Sequence, residues 1–152
     1  MNLNFTNNFK KKLQFLFKKI SSQLFSLIYG KIKNKINIEE DPKFTLKHVK
    51  LENRFYKIYF AEFARLYTDT INDTAIIINN SLLEGPSFQL RKNKNAKCED
   101  NIVFLKGTPR IKKKLNGTVL SVLTGCGGNE NYWHWLFDVL PRLFLAKQVG
   151  IF

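Results

Sequence analysis

Cysteine, acidic side chains and long apolar runs are what this chain has least of. Its two cysteines are Cys98 and Cys126, and no Cys-x-x-Cys pair exists. That spacing excludes a zinc ribbon and a multi-bridge disulfide framework, and it fits reduced thiols in a cytosolic protein; one bridge stays open. No segment reaches the roughly 18 consecutive apolar residues of a membrane-spanning helix. The best candidate, LFSLIY at 24–29, is short, and Gly30, Lys31, Lys33 and Lys35 follow it instead of a small-residue cleavage site. A secretory signal is therefore not expected. Acidic residues number 12 against 25 Lys plus Arg, a formal charge of +13. Such an excess suits phosphate groups, nucleic acid or an acidic membrane surface as partner, and it says nothing about fold.

What is present is apolar bulk. The chain has 152 residues, 44% of them hydrophobic, with 14 Phe, which is enough for one domain with its own core. Residues 1–38 form a segment apart, with eight lysines and no acidic residue. In it Phe5, Phe9, Leu13, Phe17, Ile20, Leu24 and Leu27 recur at spacings of three and four, the stripe of an amphipathic helix. Lys10, Lys11, Lys12, Lys18 and Lys19 lie beside that stripe. Two readings stand: a helix lying on an anionic membrane surface, or a helix packed by its apolar face on its own domain. Nucleic-acid binding is a third reading that the absence of Arg and the placement of the aromatics disfavour, so no nucleic acid is expected.

The polar run Glu39, Glu40, Asp41, Pro42 marks a boundary, and residues 43–152 read as an α/β domain. Residues 74–78, TAIII, predict a strand after the turn-like Asn72 and Asp73, and Gly85 to Ser87 predicts a turn. Ile102–Leu105 and Thr118–Leu123 also read as strands. Behind the second comes a glycine-rich loop, GCGG at 125–128, and then a long helix from about Asn129. Strand, glycine loop and helix open an α/β unit, and Gly127 and Gly128 would let backbone N–H groups approach a ligand there. The loop is neither G-x-G-x-x-G nor a P-loop.

Within that helix His134, Asp138 and Arg142 follow one another at spacings of four, with Asn131 extending the row. Residues four apart share a helix face. Trp135, Leu136, Val139, Leu140 and Leu143 are left to anchor the helix in a core. Pro141 removes the hydrogen bond to the carbonyl of Phe137 and is expected to kink or restart the helix, which loosens the alignment of Arg142. One His and one Asp make half a metal site at best, so no metal is expected. As acid–base chemistry, Asp138 can fix one imidazole nitrogen of His134 and leave the other for a substrate hydroxyl, while Arg142 offers a fork of donors to an anion. As plain structure, the same residues are a satisfied imidazole and a helix ion pair.

The run NYWHWLFDVLPRL at 131–143 resembles the N-Y-x-H-W-x-x-D-x-L-P-R-L motif of glycosyltransferase family 61, a group also described as capsular polysaccharide biosynthesis proteins. TVLSVLTGCGG at 118–128 is similar to the segment leading into that motif, with fainter likeness at ARLYTD, 64–69, and GPSFQ, 85–89. The resemblance covers about residues 50–152. It implies an inverting GT-B-type enzyme with two Rossmann-like domains, the N-terminal one contacting a glycan acceptor and the C-terminal one holding a nucleotide-sugar donor. It implies no obligatory metal or other cofactor, and a cytoplasmic location, peripheral on the membrane if the N-terminal helix binds lipid. His134 and Asp138 are the implied catalytic pair, either of them the base; Asn131, Arg142, Gly127 and Gly128 are the implied substrate contacts. The sequence stops at Phe152, soon after the motif, so the expected fold is the incomplete Rossmann-like N-terminal half of such an enzyme behind a basic helix. A fragment of a longer chain and a natural truncation are both consistent with that.

Overall fold

The computed structural model describes residues 3–37, 44–68, 72–91, 95–123 and 132–151. The chain is mixed α/β, with a long helix followed by sheets. Helix α1 (Leu3–Tyr29) is followed by strands β1 (Asn34–Ile36), β2 (Phe44–Leu51), β3 (Arg54–Ala61), β4 (Arg65–Thr68), β5 (Asp73–Ile78), β6 (Ser81–Leu83) and β7 (Phe88–Gln89). A single 3-10 turn at Cys98–Asp100 leads into α2 (Ile102–Lys106). The C-terminal helix is composite: α3 (Tyr132–His134), a π-helical turn (Trp135–Val139) and α4 (Leu140–Gln148).

Five strands make the main sheet in the order β1, β6, β5, β4, with β7 also paired to β5. Only β1 with β6 is parallel; the other pairs are antiparallel. Strand β1, inside the basic N-terminal segment, thus extends the sheet of the residues that follow. β5 and β6 are joined through Asn79 and Asn80, both left-handed at φ 47° and 62°, as a tight hairpin demands and as Asn tolerates best after Gly. β2 and β3 form a separate two-stranded hairpin in full register from Phe44 opposite Ala61 to Leu51 opposite Arg54.

β5 is the core strand. Its alternation sends Ala75 and Ile77 into one cluster with Ile32, Tyr67, Leu82, Cys98 and Val103. Ile78 goes to the other side, with Phe44 and Leu83. The strand's polar start is buried too. Asp73 receives Arg91 on both oxygens, at 2.7 and 3.0 Å, and accepts the backbone N–H of Ile102 at 3.0 Å. Asn101 donates to the carbonyls of Thr74 and Phe88, each at 3.2 Å, while its own oxygen accepts the N–H of Val103.

That last contact corrects one expectation from the sequence. Ile102–Leu105 is helix, not strand, because Asn101 caps its N-terminus and Gly107, at φ 64°, ends it. A four-residue apolar run carries no period that separates the two. Thr118–Leu123 is also not a strand. It has no partner ladder among the described residues, and Lys112 to Leu120 lie exposed on the surface. The strand at 74–78 and the turn at 85–87 are as expected. Among the described residues, no helix is long and apolar enough to cross a membrane.

Helix α1 reaches the body through its last two turns. Ser22 Oγ donates to the Lys106 carbonyl at 2.7 Å, and a Cβ at Gly107 would stand 3.1 Å from Ser26 Oγ. Arg65 donates to the terminal carbonyl of Tyr29 at 3.2 Å, a cation at the negative end of the helix dipole. Tyr29 also stacks with Phe25, and its hydroxyl accepts the Lys112 N–H. Gly30 closes the helix at φ 79°, so near the β5–β6 turn that a Cβ there would lie 2.2 Å from Asn80 Nδ2.

Candidate active site

The composite helix at 132–148 owes its middle to Pro141. A proline nitrogen carries no hydrogen, so the carbonyl of Phe137 loses its regular α-helical partner. One residue earlier the ladder has already widened: Leu140 N–H donates to the carbonyl of Trp135, five residues back. Pro141 then occupies the first turn of α4, where its missing N–H costs nothing.

His134 lies at the end of α3 and Asp138 inside the π turn, and the widened turn keeps them together. His134 Nδ1 and Asp138 Oδ2 are 2.6 Å apart. An ionised carboxylate only accepts, so the proton between them belongs to Nδ1 and Nε2 is the nitrogen left for another partner. Both side chains are partly open, 31% and 41% exposed, so the pair is reachable from solvent. Beside them Trp133 and Phe137 stack at 5.0 Å with planes 18° apart.

Arg142 does not complete the row as an ion pair with Asp138. Its Nη1 donates instead to the carbonyl of Leu123 at 3.0 Å, tying the helix to the segment ahead of it. Crowding by protein atoms pushes the Arg142 pKa down, opposed by the charge of Asp138 nearby. The helix is also less anchored than its pattern suggests. Val139 and Ala146 are buried, but Trp135 and Leu140 are largely exposed, as are Tyr132, Trp133, Phe137 and Phe144. Asn131, Gly127, Gly128 and Cys126 lie outside the described residues.

No family model, curated protein or solved structure matches this chain. What the site can do follows from its own side chains. It offers one hydrogen-bonded His–Asp pair on an open helix face, a cation next to it and a stacked aromatic pair alongside. Among the described residues no three potential metal-ligating side chains come together.

Two features escaped the sequence reading. The Trp133–Phe137 stack is one, although its spacing of four was there to be read. The other is the Arg142 contact with a backbone carbonyl 19 residues upstream, which no pattern in the sequence signals. A polar cleft of about 450 Å³ opens elsewhere, lined by Lys35, Glu84, Gln89, Lys97, Cys98 and Glu99. Lys35 pairs there with Glu99 at 2.8 Å and Glu84 at 3.4 Å, so both carboxylates already share one cation.

Proposed function

We propose that this chain supplies the acceptor side of an inverting glycosyltransferase similar to family 61, acting in surface polysaccharide synthesis. The observation that carries the reading is the 2.6 Å contact between His134 Nδ1 and Asp138 Oδ2 inside the motif-like run 131–143. A base so arranged can take the proton of an acceptor hydroxyl as its oxygen attacks the anomeric carbon and the nucleotide diphosphate departs. His134 is then the base, through Nε2, and Asp138 holds it in the required tautomer. The reverse assignment, with Asp138 as base and His134 as a contact to acceptor or phosphate, uses the same two residues. Arg142 braces the helix through Leu123 and adds positive charge near the place where the leaving diphosphate gathers negative charge.

In the proposed enzyme the donor is a nucleotide sugar, held by a Rossmann-like domain that faces this helix across a cleft. Asn131, Gly127 and Gly128 would contact substrate. The chemistry needs no metal or other cofactor, and the setting is the cytoplasm.

The test is release of nucleoside diphosphate from nucleotide sugars by the complete protein, with and without glycan acceptors. His134→Ala and Asp138→Asn should each lower turnover by about 10²-fold or more, the usual contribution of general acid–base groups. Their thermal melts should match the wild type. Turnover within a few-fold of wild type in both variants would overturn the reading.

A further inference from the structure

The apolar stripe of α1 is not covered by the domain it belongs to. Phe9, Leu13, Phe17, Ile20, Leu24 and Leu27 are each between 52% and 84% exposed. At 3.6 residues per turn they fall within about 60° of the direction opposite Ser22. Ser22, Ser26 and Tyr29 are the residues that meet the body, through the Lys106 carbonyl, Gly107, Arg65 and Lys112. The helix therefore docks by the Ser22, Ser26 and Tyr29 side of its last turns and turns the stripe outward, while Phe15, also exposed, lies on the docking side. Among the described residues, nothing packs on this stripe.

Charge decides what covers it. Residues 1–38 hold eight lysines and no acidic residue. Lys10 and Lys12 flank the stripe, about 60° and 100° from its centre, near enough for their long stems to lie along its edges. A second copy would set lysine against lysine with no carboxylate to answer it. A nucleic acid would neutralise the lysines and leave the Phe and Leu side chains in water. An anionic bilayer satisfies both: acyl chains take the stripe, and headgroup phosphates take the flanking ammonium groups.

We infer that α1 is a membrane-docking helix that lays its Phe/Leu stripe into an anionic lipid surface and presents the rest of the chain from its opposite face. This is independent of the sugar-transfer reading. The juxtaposition that carries it is an exposed stripe of six large apolar side chains, a docking face opposite, and no negative charge on the segment.

Flotation of the intact chain with vesicles tests it, using phosphatidylcholine alone and phosphatidylcholine mixed with phosphatidylglycerol. Partitioning onto the anionic vesicles should be tighter by about tenfold or more at low salt and should fall as salt rises. Phe17→Glu with Leu24→Glu should weaken it by about tenfold or more, since two side chains leave the acyl boundary. Lys12→Gln with Lys19→Gln should reduce the preference for anionic over neutral vesicles while leaving the fold, checked by circular dichroism, unchanged. Equal binding to both vesicle types would overturn the inference, as would stripe variants that bind like wild type. A stripe-dependent dimer by light scattering, with no vesicle binding, would assign the stripe to a second copy instead.

Discussion

Asp73 and Arg91 form a two-pronged ion pair, 2.7 and 3.0 Å, with the Asp73 side chain only 4% exposed. The same carboxylate takes the Ile102 N–H, so one residue at the start of β5 fixes both the loop that carries Arg91 and the start of α2. Buried charge is retained here because every partner is present. Asp73→Ala would take away the carboxylate of the pair, leaving the guanidinium to the Leu90 and Asp100 carbonyls and the Ile102 N–H without its acceptor, and should cost about 3 kcal/mol. Urea unfolding measures it, and a loss under about 1 kcal/mol would show that the pair is dispensable.

Burial pushes the Cys98 thiol up to about 11 from an ordinary 9.0. In a Cys126→Ser background its alkylation by iodoacetamide at mildly alkaline pH should be about 100-fold slower than that of a free thiol, and denaturant should abolish the difference. The folded protein holds this proton more tightly than the unfolded chain does. Stability should therefore be full below pH 9 and decline by up to about 3 kcal/mol as pH rises through about 11. Thermal melts across that range, compared with Cys98→Ala, give the sign directly.

Gly30 combines a left-handed φ of 79° with a backbone so near Asn80 that an added Cβ would overlap its side-chain amide. Gly30→Ala should destabilise by about 1–3 kcal/mol. Adding Asn80→Gly should recover the steric part and leave the backbone part. A double variant no better than the single one would show that the approach to Asn80 contributes nothing.

Pro141→Ala restores an N–H that can bond to the carbonyl of Phe137. The π turn should tighten towards a regular α-helix, with a change in stability under about 1 kcal/mol, because a proline in the first turn of α4 costs little. Nuclear magnetic resonance of the His134 ring would report whether its contact with Asp138 survives. Unchanged helicity would mean that the π turn does not depend on the proline.

Periodicity made α1 legible from its stripe, and β-branched residues made β5 legible from TAIII at 74–78. The His134–Asp138 contact was legible for the same reason, since spacing on a helix is nearly geometry. What failed was short or long-range. Ile102–Leu105 took its helix from a cap on Asn101 and an acceptor on Asp73, which lies 29 residues away. Thr118–Leu123 had strand composition, but composition supplies no partner, and an unpaired strand is only extended chain. Arg65 is another instance: nothing local announces that it holds the end of α1 at Tyr29.

Among the described residues α1 is held by its last two turns, from Ser22 to Tyr29, which makes it a cantilever. Twenty-seven residues at helical rise make a rod of about 40 Å, with its attachments confined to the last two turns. A helix end without tertiary support frays, since most helical stability in proteins comes from packing. Amide protons of residues 7–18 should therefore exchange far faster than those of 22–29, with a steep gradient along one continuous helix. Whatever surface receives the free end also flattens that gradient, so the rod's own order becomes the reporter of its docking.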